Sequence, residues 1–109
     1  MTQAGSDGGQ PTSPLTREEV ADLLRRVPGW KMIGNAIERE FRFPDFRDAM
    51  VFVNKVAEAA ERQEHHPDIV ISYNRVHLVL TTHKAGGLTR RDFALAAAID
   101  ELIRAGAAG

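Results

Sequence analysis

The strongest constraint on the fold is one amphipathic segment, residues 45–63, which has a pair of short extended stretches on each side. Apolar residues recur in it at i, i+3, i+4 and i+7, the spacing of a helix that buries one face. Asp45 stands where an N-cap is expected, and Pro67 disfavours helical backbone in the residue before it. The segment therefore predicts one long helix that packs against a sheet.

The extended stretches around this helix form two pairs. They are residues 30–33, 37–43, 69–73 and 76–83. Gly34-Asn35 and Asn74-Arg75 separate the members of each pair, so each pair is expected to be a hairpin. Apolar and charged side chains alternate within the second stretch, so one face of that strand is expected to be buried. The two hairpins predict a four-stranded antiparallel sheet.

Two further helices are predicted near the ends of the chain. Residues 16–19 fit a capping box at the start of the first helix, and Pro28-Gly29 stops it. Residues 89–92 begin the last helix. The resulting order αββαββα predicts an α+β fold with two layers, in which three helices cover one face of a four-stranded antiparallel sheet.

Composition excludes several classes of protein. Residues 1–14 are rich in Gly, Ser, Thr and Pro, which predicts a disordered N-terminal tail before one domain at residues 15–106. The formal net charge is −1 and no segment concentrates Lys or Arg, so no nucleic-acid partner is expected. The chain has no cysteine and no apolar run of the ~18 residues that span a membrane, and residues 1–14 lack the apolar segment expected of a signal peptide. A cytoplasmic protein without a membrane partner is therefore expected.

Three of the four histidines lie at the ends of predicted elements. His65 and His66 follow the long helix, where free carbonyl groups favour a cation such as imidazolium. The second hairpin is antiparallel and can return His83 to the same place. Imidazoles exchange protons near neutral pH, so these three residues predict an acid–base site. His77 lies six residues before His83 and is expected to be a surface histidine.

Other kinds of site are weaker alternatives. A lone histidine at a helix end is usually only a capping partner, although two adjacent histidines and a third nearby argue against that here. Glu61 and His65 have the i, i+4 spacing with which a helix can bind zinc, but no HExxH pattern is present and no metal is expected. Ser72 lies in mid-strand without the strained turn that a Ser–His–Asp triad requires.

The spacing of these residues resembles the signature of the pterin-4a-carbinolamine dehydratases. The matching positions are Glu61, His65, His66, Pro67, Tyr73, His83 and Asp92. The resemblance covers about residues 15–104 and includes Gly29-Trp30 and the run of residues 82–89. It implies an α+β fold, which agrees with the order of elements derived above.

The resemblance also implies a reaction. Such a lyase removes water from 4a-hydroxytetrahydrobiopterin, which an aromatic amino acid hydroxylase leaves behind, and gives quinonoid dihydropterin without a metal or redox cofactor. His65 and His83 are then the expected acids, and His66 is expected to orient the pterin and act as a base. The implied substrate-binding residues are Glu64, Thr81, Thr82 and Asp92. The implied supporting residues are Glu61, which pairs locally or orients His65, together with Pro67 and Tyr73.

Several assignments stay open at this point. Asp92 can cap the last helix together with Thr89, and by resemblance it also supports the site. Arg91 is expected to be solvated surface, and Tyr73 and Trp30 are expected in the core rather than against a pterin. The resemblance further implies a homodimer or homotetramer with a functional link to an aromatic amino acid hydroxylase. The alternative function is a non-catalytic dimerisation or assembly factor of the same fold.

Overall fold

The structure is a computed structural model that describes residues 13–106. The helices are α1 (Arg17–Leu24), α2 (Phe46–Gln63) and α3 (Arg90–Arg104). The strands are β1 (Lys31–Ile33), β2 (Ala36–Arg42), β3 (Asp68–Ser72) and β4 (Arg75–Leu80). The predicted order αββαββα is confirmed. The predicted disordered tail falls almost entirely on residues outside the described range.

The helices begin where their capping residues predict. Thr16 and Glu19 form the predicted capping box of α1, with Thr16 Oγ1 accepting from the Glu19 amide at 3.2 Å. Asp45 caps α2 by accepting from the amide of Asp48 at 2.8 Å. Helix α1 ends at Leu24, before the predicted Pro28-Gly29 stop. Local side-chain chemistry therefore sets these starts without help from the tertiary fold.

The two hairpins join into one antiparallel sheet in the order β1-β2-β4-β3. Strands β2 and β4 are the central pair, with Ile37 opposite Leu80 and Phe41 opposite Val76. The first hairpin turns at Gly34-Asn35 as predicted, and Gly34 has a φ of 57°. The order brings the end of β4 beside the start of β3, and therefore close to the end of α2.

The turn of the second hairpin lies one residue earlier in the chain than predicted. Ser72 pairs with Arg75, so the turn is Tyr73-Asn74 rather than Asn74-Arg75. Tyr73 adopts a φ of 54° there, and the Asn74 side chain donates to the Phe43 carbonyl at 2.8 Å. This contact with the end of β2 fixes the position of the turn, which no pattern within the hairpin could indicate.

The core lies between one face of the sheet and the three helices. Its fully buried members from the sheet include Ile37, Val76, Leu78 and Leu80, and those from the helices include Phe52, Val56, Leu95 and Ile99. Trp30 is buried as predicted and donates through Nε1 to Asp100 Oδ1 at 2.9 Å. The expectation that Tyr73 is a core residue is wrong, because its side chain is 66% exposed in the turn.

Candidate active site

The C-terminal end of α2 is a Schellman motif. The Glu64 amide donates to the Glu61 carbonyl at 3.2 Å, and the His65 amide donates to the Ala60 carbonyl at 3.0 Å. Glu64 adopts a left-handed conformation, with φ 52° and ψ 42°, where most helices have glycine. The chain therefore leaves the helix at Glu64, three residues before Pro67, and the two histidines that follow take different directions.

His65 turns into the protein. It is 8% exposed, and its Nε2 lies 2.5 Å from Oδ1 of Asp92, which is fully buried. Asp92 belongs to the first turn of α3, 27 residues further along the chain. A buried carboxylate is tolerated only when it is paired and hydrogen-bonded, so this contact holds the imidazole in one orientation.

The other oxygen of Asp92 completes the start of α3. Oδ2 accepts from the Thr89 amide at 2.9 Å and from the Thr82 hydroxyl at 2.8 Å. The bond from Thr89 belongs to the predicted capping box. One carboxylate therefore caps α3 and also contacts His65, whereas the expected role of Asp92 in binding the substrate finds no exposed surface in the cleft, because Asp92 is fully buried.

His66 turns towards solvent and contacts Glu61 instead. Its Nε2 lies 2.6 Å from Glu61 Oε2, and the two side chains are 63% and 77% exposed. The left-handed residue Glu64 carries the chain back over the last turn of α2, which brings His66 rather than His65 to Glu61. Of the two roles expected for Glu61, the structure shows local pairing, with His66, and not orientation of His65. The zinc-binding alternative, which needed Glu61 and His65 side by side, also lacks its geometry.

His83 lies just beyond the sheet rather than at a strand end. Strand β4 stops at Leu80, Thr82 forms a single bridge with Gly87, and one 3-10 turn follows at His83–Ala85. Gly86 closes this turn with a φ of 77°, which suits glycine. The His83 side chain is exposed and makes no hydrogen bond to residues 13–106. It therefore differs from His65 and His66, which both have carboxylate partners.

One cleft of about 520 Å³ brings these residues together. Its lining consists of Glu64, His65, His66, Thr81, Thr82, His83, Lys84 and Arg91. A larger cleft of about 660 Å³ lies between α1, β1 and the loop before α3, with Leu15, Val20 and Leu88 in its mainly apolar lining. Arg17 is its only titratable lining residue among those described. Proton-transfer chemistry therefore belongs to the smaller cleft.

Other predicted site residues lie outside the cleft or contact the protein itself. Tyr73 is at the opposite end of the β3–β4 hairpin, which separates it from the histidines. The Thr81 hydroxyl donates to the Asn35 carbonyl at 2.7 Å, and the Thr82 hydroxyl donates to Asp92. Neither threonine hydroxyl has a hydrogen left for a ligand, so each can only accept a hydrogen bond there.

Three residues at this site were not assigned to it from the sequence. Lys84 and Arg91 line the cleft, and neither forms an ion pair with any residue in the described part of the chain. Arg91 is exposed, as predicted, but it is exposed into the cleft. Thr89 lies beneath the cleft and is 1% exposed. In the sequence, only the position of Lys84 next to His83 indicated that one of these residues belongs to the site. The residues around Thr89 did not distinguish it from an ordinary helix cap.

The left-handed conformation of Glu64 gives a testable effect on stability. Glu64→Gly is expected to raise the free energy of unfolding by about 0.5–1 kcal/mol, because glycine adopts positive φ without the steric cost. Removal of a negative charge from the C-terminal end of α2 acts in the same direction. Urea unfolding of both proteins measures the change.

A matched control for this variant is one residue away. Gln63→Gly lies in right-handed helical backbone and should lower the free energy of unfolding by about 1 kcal/mol. Equal losses in both variants would contradict the argument. A higher free energy of unfolding in Glu64→Gly alone would mean that the chain keeps, at the cleft, a residue that lowers the stability of the protein, as is common at functional sites.

The geometry suits general acid–base chemistry on a small polar molecule. Three imidazoles line one cleft, and each has a different environment: a buried carboxylate, an exposed carboxylate and no partner among residues 13–106. The cleft volume is within the range of small-molecule sites. No three His, Asp or Glu side chains in this part of the chain are arranged to bind a metal ion. None of the helices in residues 13–106 has the length and apolar character needed to cross a membrane.

Comparison with known proteins gives concordant results. The family model described as "Pterin 4 alpha carbinolamine dehydratase" matches residues 13–102. A protein of Thermomicrobium roseum named as a pterin-4-alpha-carbinolamine dehydratase is 59% identical over 83 residues, which are 76% of this chain and 89% of that protein.

Two solved structures share the fold. The transcriptional coactivator/pterin dehydratase of Brucella melitensis has a TM-score of 0.80 and 35% identity, over 89% of this chain and all of that one. A pterin dehydratase-like protein identified as a RuBisCO assembly factor in the alpha-carboxysome has a TM-score of 0.55 and 22% identity. That match covers 67% of this chain and 84% of the other, and it shows a common fold alone.

Proposed function

Because the chain belongs to the pterin 4 alpha carbinolamine dehydratase family, a family of hydro-lyases, we propose that it dehydrates a 4a-hydroxytetrahydropterin by histidine acid–base catalysis. The observation that carries the proposal is the convergence of His65, His66 and His83 on one cleft. These residues come from two distant segments of the chain, so a merely local role at a helix end does not account for them.

The reaction requires two proton transfers and no change of oxidation state. An acid protonates the hydroxyl group at C4a, the C4a–O bond breaks, and water leaves. A base takes the proton from N5, and the electron pair of the N5–H bond forms the C4a=N5 double bond. Imidazoles can serve as both acid and base, and each such group contributes typically about 10²–10⁴-fold to the rate. The balance needs neither a metal nor a redox cofactor.

The three histidines differ in ways that suit a division of labour. His83 is free to contact the leaving hydroxyl group, because no residue in the described part of the chain holds its ring. His65 is held by the carboxylate of Asp92, which fixes the orientation of its ring, and it is assigned as the second acid. His66 has an exposed carboxylate partner and is assigned to orient the pterin and accept a proton.

The remaining lining can recognise the polar edge of a pterin. That edge has an amino group and a ring N–H as donors and a carbonyl oxygen as an acceptor. Glu64 supplies a carboxylate that accepts from these donors. The hydroxyl oxygens of Thr81 and Thr82, whose hydrogens are already bonded within the protein, are two further acceptors. Lys84 and Arg91 supply donors to the carbonyl oxygen. This complementarity supports the substrate-binding role assigned to Glu64 and the threonines.

The proposal also covers the oligomeric state, the location and the functional partner of the protein. We assign a homodimer or homotetramer, supported by apolar side chains that one chain leaves exposed on edge strand β3, where Val70 is 57% exposed. The absence of cysteine supports a cytoplasmic location. A functional link to an aromatic amino acid hydroxylase follows from the chemistry, because such an enzyme produces the proposed substrate.

A coupled assay tests the function. A pterin-dependent aromatic hydroxylase supplies the carbinolamine, and addition of the purified protein should speed the appearance of quinonoid dihydropterin above the rate in buffer. No gain over buffer at any pH from about 6 to 9, around the ordinary histidine pKa, would contradict the proposal. An inactive protein that co-purifies with a stable protein partner would instead favour the assembly-factor alternative.

A further inference from the structure

The buried carboxylate of Asp92 has a separate set of partners on each oxygen. Within the described part of the chain, Oδ1 faces only the Nε2 of His65, whereas Oδ2 accepts from the Thr82 hydroxyl and the Thr89 amide. Asp92 is 0% exposed and Thr89 is 1% exposed, so water does not compete for these atoms. Two donors on Oδ2 and an imidazole nitrogen on Oδ1 suit an ionised carboxylate, because a carboxylic acid is the stronger acid of such a pair and leaves the shared hydrogen on the imidazole.

The hydrogens in this cluster can be assigned one by one. A hydroxyl has a single hydrogen, and that of Thr82 goes to Asp92 Oδ2. The 2.8 Å contact between the two threonine oxygens therefore takes its hydrogen from Thr89. The Thr89 oxygen in turn accepts from the amide of Arg91 at 3.3 Å. Every bond runs in one direction, from Thr89 through Thr82 to Asp92.

The ionised state of Asp92 decides which nitrogen of His65 is available. An ionised carboxylate only accepts, so neutral His65 must carry its hydrogen on Nε2. Its Nδ1 has no hydrogen-bond partner among residues 13–106, and the ring lines the cleft. We propose that Thr82 and Thr89 are positioning residues, which hold Asp92 so that Nδ1 of His65 is the atom that exchanges a proton in the cleft. The use of that atom on a pterin rests on the proposed function, but the tautomer does not.

A helix cap alone does not explain this arrangement, as α1 shows within the same chain. Thr16 and Glu19 form the same capping box there, with Thr16 exposed and Glu19 half-buried, and no histidine or second hydroxyl among residues 13–106 contacts them. In α3 the box is buried, and Thr82 joins it from outside the helix. The extra partner is therefore not needed to start a helix.

The decisive experiment is Asp92→Asn with nitrogen NMR of the His65 ring, at a pH where the ring is neutral. Thr82 and Thr89 both donate at the Oδ2 position, so they should retain the amide oxygen there and turn the NH₂ group towards His65. Nε2 must then accept, and the hydrogen moves to Nδ1. We expect the Nε2–H tautomer in the wild type and the Nδ1–H tautomer in the variant.

Two controls separate positioning from capping. Adding Thr82→Val to Asp92→Asn removes one donor at the Oδ2 position and should give a mixture of tautomers. Adding Thr16→Val instead removes the exposed cap of α1 and should leave the Nδ1–H tautomer unchanged. A wild type with hydrogen on Nδ1, or an Asp92→Asn variant that keeps it on Nε2, would overturn the proposal.

A kinetic measurement covers the case in which Asp92→Asn does not fold. Thr82→Val should lower kcat roughly tenfold, since the hydrogen bond it loses is to a charged group, and Thr82→Ser should restore the rate. Equal kcat values in the two variants would overturn the positioning role. If the protein has no dehydratase activity at all, the wild-type tautomer still tests the inference independently.

Discussion

Replacement of His83 by alanine is expected to lower kcat in the coupled assay by about 10²–10⁴-fold, the usual contribution of a general acid. Its side chain makes no hydrogen bond to the described residues and is exposed, so its removal leaves no buried group without a partner. The melting temperature should therefore stay at the wild-type value. A large loss of rate without a loss of stability would assign the effect to chemistry.

His77 is the matched control for this variant. It lies on the face of the sheet away from the helices, where its Nε2 contacts Glu38 Oε1 at 2.8 Å, and it does not line the histidine cleft. His77→Ala should therefore keep the wild-type kcat. A His83→Ala protein as active as His77→Ala would remove His83 from the mechanism and leave His65 as the acid to examine.

Replacement of Asp92 by alanine is expected to lower the free energy of unfolding by about 3–5 kcal/mol. The carboxylate is fully buried, and its loss leaves the Thr89 amide, the Thr82 hydroxyl and the His65 Nε2 without their acceptor. Small domains have a total stability of only about 5–15 kcal/mol, so the effect is large. Urea unfolding measures it directly.

Glu19→Ala provides the comparison for Asp92→Ala. Glu19 holds the same third position of a capping box, in α1, but its carboxylate is exposed and water can replace it. The loss of stability should be far smaller than for Asp92. Equal losses would mean that Asp92 acts only as a helix cap and that its contacts with His65 and Thr82 contribute nothing to the fold.

Much of the fold follows from local patterns. The caps at Thr16, Asp45 and Thr89 place three helix starts, because a side-chain oxygen three residues from an amide needs no tertiary contact to bond it. The alternation in β2 and β4 places the buried face. The second turn was predicted one residue late, since the position of Asn74 depends on its contact with Phe43, 31 residues away.

The histidine cluster was also accessible from the sequence. His65 and His66 mark the end of a strongly periodic helix, and an antiparallel hairpin returns the chain towards them, so proximity to His83 follows from topology. Tyr73 shows the limit of this approach. Its spacing matched the resemblance, but a turn residue at the far end of the same hairpin has no route to the cleft.

The identities of the histidine partners could not be predicted in this way. Helical spacing suggested Glu61 as the partner of His65. The left-handed backbone of Glu64 instead brings His66 into contact with Glu61 and directs His65 into the core. Asp92, 27 residues away, then meets His65 because α3 packs beside α2. Amphipathic periodicity and capping chemistry were therefore enough to predict the amphipathic segment and the histidines that follow it. The pairing of each ring depends on a single positive φ and on long-range packing, which leave no periodic trace along the chain.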